Sequence, residues 1–253
     1  MPSPHDLLFL HLPDRFSTGG AEGWPAWLDA AWLAQAPLVV RREAAPAGLL
    51  PVGARGLTRS QRCKGYVQHD AVARCVTPEM LARQVLGTAG AAPGAPGVPA
   101  PASATGPSAW SFPPALPAPA PPPSPPSPGG WFALPPLQAL AAMAPTLAQL
   151  GLAWGPTGGA GFQLASGLTV LRADSDLDLL VRAPAVLAPS TIDRLLRLQE
   201  RQASRVDIQV DTGVGGFALN EYARGGRVLL KTAHGPLLLA DPWQPGAAQG
   251  AAA

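Results

Sequence analysis

Charged residues are scarce: Asp, Glu, Lys and Arg make up 13% of the 253 residues, against roughly a quarter in an ordinary soluble domain. None occurs between Arg83 and Arg172. The formal net charge of +2 is too small for a nucleic-acid coat or a basic membrane-surface patch. Neither nucleic acid nor membrane is therefore expected as a partner. Cysteine is nearly absent. Cys63 and Cys75 form no CxxC and have no His pair at metal-ligand spacing, which excludes a disulfide framework and reads as two reduced thiols in the cytosol. A long apolar run is also missing. The uncharged stretch from Trp131 to Leu171 carries Pro135, Pro136, Pro145 and Pro156, which argue against a membrane span. The N-terminus, MPSPHDLLFLHLPD, lacks the basic segment and unbroken apolar core of a signal peptide, so the expected location is cytoplasmic.

Pro (32) and Gly (28) are in excess, and their distribution divides the chain. Residues 87–130 are dominated by Pro, Ala, Ser and Gly and end in PAPAPPPSPPSPGG, the composition of a polyproline-like or disordered linker. The expected organisation is an N-terminal domain over 1–86, this linker, a catalytic domain over 131–245 and a disordered tail over 246–253. The fold class expected is α/β (α+β), with a mixed sheet in the second domain.

In the first domain, Asp6–Leu10 reads as a strand, Ala26–Gln35 as a helix and Leu38–Arg42 as a second strand. Leu50–Lys64 reads as a turn-rich basic segment. Thr77 is placed to cap a helix opening at Pro78. After the linker, Leu137–Leu150 reads as a buried helix broken near Pro145. Gly161–Ala165 reads as a strand turned by Gly167. Further strands are expected at Asp176–Arg182, Arg205–Asp211, Arg227–Thr232 and Leu237–Ala240, with a helix capped by Ser190.

The chemistry resides in the acids. Asp-Leu-Asp on a strand turns Asp176 and Asp178 to one face, because side chains alternate with period two. Two adjacent carboxylates repel and raise each other's pKa, a cost that a divalent cation removes; oxygen-only ligands favour Mg²⁺ or Mn²⁺. Asp207 stands between Val206 and Ile208 on a later strand, and strand pairing would bring it beside the first two acids to complete a two-metal cage. Upstream, the Gly155–Gly161 turn offers backbone N–H groups to phosphate, through Gly158 and Gly159 above all. Singly, each feature also fits a solvated strand end or a tight turn; their order is what carries weight.

That order, Thr157-Gly158-Gly159, then Asp176-Leu177-Asp178, then Asp207, resembles the nucleotidyltransferase superfamily. A hairpin is expected in the gap between Gly159 and Asp176. The wider wording resembles one family in particular, the phosphoribosyl-dephospho-CoA transferases of malonate decarboxylase. The segments that carry this are HDLLFL from His5, Pro51-Val-Gly-Ala-Arg-Gly with Arg59 and Arg62, Trp154-Gly-Pro-Thr-Gly-Gly, Phe162-Gln-Leu-Ala-Ser-Gly, Ser175-Asp-Leu-Asp, Arg205-Val-Asp-Ile-Gln, Leu229-Leu-Lys-Thr-Ala and Asp241-Pro-Trp243. They cover both domains but not the linker, and Gly159 stands where that family often has Ser.

The resemblance implies transfer of a phosphoribosyl-dephospho-CoA group from its triphosphoribosyl donor to a serine of the apo acyl-carrier subunit of malonate decarboxylase, with release of pyrophosphate. Asp176 and Asp178 would hold metal, and Asp207 would be a further ligand or the base. Arg55, Arg59, Arg62 and Lys64 are candidates for donor phosphate, or else a solvated loop or a docking patch for an acidic carrier. Arg172 and Arg182 flank the acids and would contact substrate or neutralise them, and Lys231 is a more distant candidate. His5, His11, His69 and His234 read as surface or packing residues. Trp154 is a candidate for stacking on a base. Two alternatives remain at this stage: an adenylyl or uridylyl transferase, and a nucleotide-binding module without activity.

Overall fold

The computed structural model describes residues 1–20, 23–89 and 133–245. The Pro-rich linker, beyond its first three residues, and the tail over 246–253 lie outside the described residues. The fold is α/β, built from two sheets that face each other.

The N-terminal sheet is antiparallel, in the order β4-β3-β2-β1-β5. Its strands are β1 (Leu7–Leu10), β2 (Leu38–Val40), β3 (Leu49–Arg55), β4 (Arg62–Gln68) and β5 (Val72–Val76). The segment read as a basic loop is a hairpin in which β3 pairs with β4 from Leu49↔Gln68 to Arg55↔Arg62. Pro51, Gly53 and Gly56 mask the alternation, yet β3 buries Leu50, Val52 and Ala54 on one face. Helix α1 (Ala30–Gln35) is shorter than expected because Asp29 caps it, accepting from the Trp32 N–H at 2.6 Å.

Helix α2 (Pro78–Ala89) opens on Thr77, whose Oγ1 accepts from the Met80 N–H at 3.3 Å. It packs against the second unit: a Cβ at Gly155 would overlap the Pro78 carbonyl. Leu81, Ala82 and Val85 share one core with Leu137, Leu140 and Leu179.

The second sheet is mixed, in the order β11-β10-β9-β8-β7-β6. It comprises β6 (Ala153–Pro156), β7 (Leu177–Arg182), β8 (Val206–Asp211), β9 (Gly215–Ala218), β10 (Val228–Thr232) and β11 (Gly235–Leu239). Only β7 and β8 are parallel. Helix α3 (Pro135–Gln149) is not broken at Pro145, which sits on its exposed side. An interior proline costs about 3 kcal/mol, and the helix persists because Leu137, Leu140, Met143, Ala144 and Leu147 are buried along one stripe.

Residues 161–165 are helical, within α4 (Gly158–Ser166). Short apolar runs fit a buried helix as well as a strand, and here the backbone bonds close within the segment. The Gln163 side chain then accepts from the Val170 and Leu171 N–H groups at 3.0 Å each, folding the following loop back. That loop replaces the hairpin expected before Asp176. Helix α5 (Pro189–Glu200) starts after Ala188 with no side-chain cap, so Ser190 lies inside its first turn. The short α6 (Leu219–Ala223) completes the unit. Trp154 is only 4% exposed in the core of the second unit, and that burial removes it as a base-stacking surface. Among the described residues, no helix is long and apolar enough to cross a membrane.

Candidate functional site

A cleft of about 800 Å³ lies between the two sheets. Its N-terminal wall is the face of β3 and β4 that carries Gly53, Arg55, Arg62 and Lys64, with Arg59 in the turn between the strands. Its floor is the opposite sheet, contributing Asp178, Gln209, Gly216 and Lys231.

The parallel register of β7 and β8 sets Asp178 directly opposite Asp207. Leu177 and Leu179, and Val206 and Ile208, bury on the other face against the helices, which turns both acids towards the cleft side. Asp178 is held above its ordinary value by burial first, then by Asp207 and Asp176, while Arg55 and Arg59 oppose the rise. Asp176 precedes β7 by one residue and is partly exposed, and Arg59 Nη2 lies 3.7 Å from its carboxylate.

The three-acid cage expected from the sequence is consequently not preassembled. Among the described residues, no group of three or more His, Cys, Asp and Glu side chains is set to hold a metal ion. What fits is narrower. Mg²⁺ is commonly held by one or two carboxylates together with substrate phosphates and water, and Asp178 carries the repulsion that such a cation relieves.

The glycine turn is built onto this edge. The Thr157 N–H donates to the Asp178 carbonyl at 2.9 Å, and α4 starts immediately beyond. Gly158 has φ +55°, a left-handed backbone that side chains rarely adopt. A Cβ there would overlap the Asp178 carboxylate. A Cβ at Gly159 would press on Leu171 Cδ2 at 2.9 Å, with Arg55 Nη2 next at an ordinary 3.5 Å, so the arginine stands directly beside the second glycine.

Arg55 links the two walls. Its carbonyl accepts from the Trp32 indole at 2.9 Å, and its guanidinium stands 5.6 Å from the Phe162 ring centroid. Burial pulls its pKa down, the facing Arg62 adds to that, and Asp178 works against both. Arg55 and Arg62 are direct cross-strand partners, and like charges so placed are destabilising. Its buried Nε has no hydrogen-bond partner.

The remaining candidates separate. Arg59, Arg62 and Lys64 line the cleft, whereas Arg172 is exposed and outside its lining. Arg182 stands at the far end of β7 and binds Glu79 at 2.6 Å, Asp211 at 2.9 Å and Asp6 at 3.3 Å. It neutralises acids, but not the expected ones.

Three lining residues escaped the sequence reading. His5 has φ 75°, the one described non-glycine residue with positive φ, and its imidazole is pushed down to about 4 by burial, then by Arg42. Arg41 and Arg42 follow β2 into the cleft. Their signal was the Arg pair ending an apolar strand, which by itself reads as a solvated strand end.

Comparison with known proteins gives a consistent result. The model of the phosphoribosyl-dephospho-CoA transferase MdcG N-terminal domain matches residues 3–78, and that of the C-terminal domain matches residues 128–242. A phosphoribosyl-dephospho-CoA transferase of Pseudomonas aeruginosa is 39% identical over 248 residues, 96% of this chain and 94% of the relative. One from Klebsiella pneumoniae strain 342 is 38% identical over 244 residues, 96% of each chain. One from Azotobacter vinelandii is 37% identical over 253 residues, 98% of this chain and 97% of the relative. No solved structure matches. With both of its units matched by the same family, the chain is a transferase and belongs to the phosphoribosyl-dephospho-CoA transferase family.

Proposed function

We propose that this enzyme moves a phosphoribosyl-dephospho-CoA group from its triphosphoribosyl donor to a serine of the apo acyl-carrier subunit of malonate decarboxylase, in the cytoplasm. The observation that carries the reading is the pairing of two self-repelling walls: Arg55 opposite Arg62 on one side, Asp178 opposite Asp207 on the other. Each arrangement is unfavourable alone. A polyphosphate that brings its own divalent cation relieves both.

The residues divide the work as follows. Arg55, Arg59 and Arg62 bind the triphosphate, with guanidinium groups suited to bidentate phosphate contact. The Gly158–Gly159 turn lets phosphate oxygens approach backbone N–H groups at the start of α4. Asp176 and Asp178 are the residues that would hold Mg²⁺ or Mn²⁺, which when bound neutralises charge on the triphosphate. Asp207 accepts the proton of the carrier serine as its oxygen bonds to the α-phosphorus. The bond from that phosphorus to the bridging oxygen breaks, and pyrophosphate leaves towards Arg59 and Arg62. Preorganised charge supplies most of the rate, with no covalent enzyme intermediate.

The test incubates purified protein with Mg²⁺, the triphosphoribosyl donor and the apo carrier, and follows the intact mass of the carrier. Gain of the prosthetic group is expected. An unmodified carrier, with ATP or UTP consumed on another acceptor instead, would overturn the reading.

A further inference from the structure

The cleft is longer than a triphosphate site requires. Asp211 lies four residues beyond Asp207 on β8, about 13 Å along the strand, and pairs with Gly216, which pairs in turn with Lys231. The acid end and the Lys231 end therefore belong to one cleft but cannot hold the same phosphates.

We propose that the end of the cleft bounded by Lys231, Arg41 and His5 is a second anion subsite, and that it takes the diphosphate of an adenosine 5′-diphosphate ester. The assignment rests on the transfer reading for the identity of the ligand: two sugar rings separate the reacting triphosphate of the donor from the diphosphate bridge of its dephospho-CoA half.

Four observations point to it. Lys231 is exposed and makes no hydrogen bond or ion pair with a described residue, whereas neighbouring Arg42 is engaged by Asp211 at 3.1 Å. Lys231 is thus the cation left uncompensated at that end. Arg41 is bound to Glu43 through Nη2 only, and its buried Nη1 lacks a hydrogen-bond partner. The arginines lie over glycines. A Cβ at Gly216 would crowd Arg42 Nη2 at 3.3 Å, whereas one at Gly53 would meet Arg41 Cδ at an ordinary contact of 3.5 Å. Finally, His5 keeps a left-handed backbone at this rim, its N–H held by the Val40 carbonyl at 2.9 Å. A strained residue maintained by its surroundings is a mark of function. Gln209, on the floor between the two ends, offers an amide to the sugars that join them.

The experiment measures binding to the full-length protein by calorimetry, with dephospho-CoA and inorganic tripolyphosphate as separate probes. Lys231→Met should weaken dephospho-CoA by about tenfold, the scale of one lost charge-assisted contact, and leave tripolyphosphate within about twofold. Arg59→Gln should do the reverse, and Lys231→Arg should restore most of the dephospho-CoA affinity. An unchanged dephospho-CoA affinity in Lys231→Met, or equal losses for both probes, would overturn the subsite. The carrier-modification assay separates the two readings. Selective loss in Lys231→Met with no carrier modified by the wild type would sink the transfer reading and leave the subsite. Carrier modification with an unchanged dephospho-CoA affinity would sink the subsite alone.

Discussion

Asp178 on β7 and Asp207 on β8 are direct neighbours in the single parallel strand pair of the described structure, so two carboxylates lie side by side, and Asp178 lines the cleft. Burial and the neighbouring acids raise Asp178 above 3.8. A carboxyl whose folded value is raised loses stability for the protein as pH climbs from the unfolded value through the folded one. Asp178→Asn should therefore increase the melting temperature at pH 7 in the absence of divalent cations. Transfer should fall by about 10²-fold or more, the scale of losing one preorganised electrostatic group. A lowered melting temperature, or turnover near wild type, would contradict the site.

Gly158→Ala tests the turn. The substitution meets a left-handed backbone and the Asp178 carboxylate together. It should cost about 1–3 kcal/mol of stability and reduce transfer more than Gly167→Ala, which is also left-handed but opens onto empty space. Equal transfer by the two variants would detach the glycine from the chemistry.

Arg182 ties the units together. It binds Asp6 before β1, Glu79 on α2 and Asp211 on β8, with its side chain 23% exposed. Removing one partner of a buried ion pair costs about 3–5 kcal/mol, and partial exposure reduces this, so Arg182→Met should lose about 2–4 kcal/mol in urea unfolding. Arg182→Lys should recover only part, because one ammonium cannot serve three carboxylates in a fixed fork. A loss below about 1 kcal/mol would show that the cluster does not couple the units.

His5 predicts a pH dependence. Its imidazole faces Arg42, Arg182 and Lys231 along with Asp211, and titrates at about 4 rather than 6.5. The native state binds the proton less readily than the unfolded state, so the contribution of His5 is constant above pH 6.5, falls as pH drops from 6.5 to about 4, and is constant again below. His5→Asn, which tolerates the left-handed backbone, should remove that fall. Denaturant midpoints at neutral, intermediate and acid pH read the difference, and an unaltered slope would refute it.

Where the sequence period was strong, the elements were legible. The strands at β7 and β8 follow from alternating apolar residues, those at β1 and β10 from short apolar runs, and α2 from Thr77 and Pro78. The conformation of residues 161–165 was not, because a short apolar run next to glycines fits strand and helix equally until Gln163 finds the Val170 and Leu171 N–H groups. The β3–β4 hairpin stayed hidden for a related reason: glycine and proline at its open positions look like loop.

Asp-x-Asp, the later Asp207 and the two glycines were determined by the sequence, because period and order are local properties. Only the tertiary structure decided what they face. Parallel pairing put Asp207 against Asp178, and the turn of the first sheet brought Arg55, Arg41 and His5 over the second. It also sent Arg182 away from the acids beside it in sequence and left Arg172 outside the cleft. Charge pairing across a cleft depends on which faces two sheets present to each other, and no local pattern encodes that.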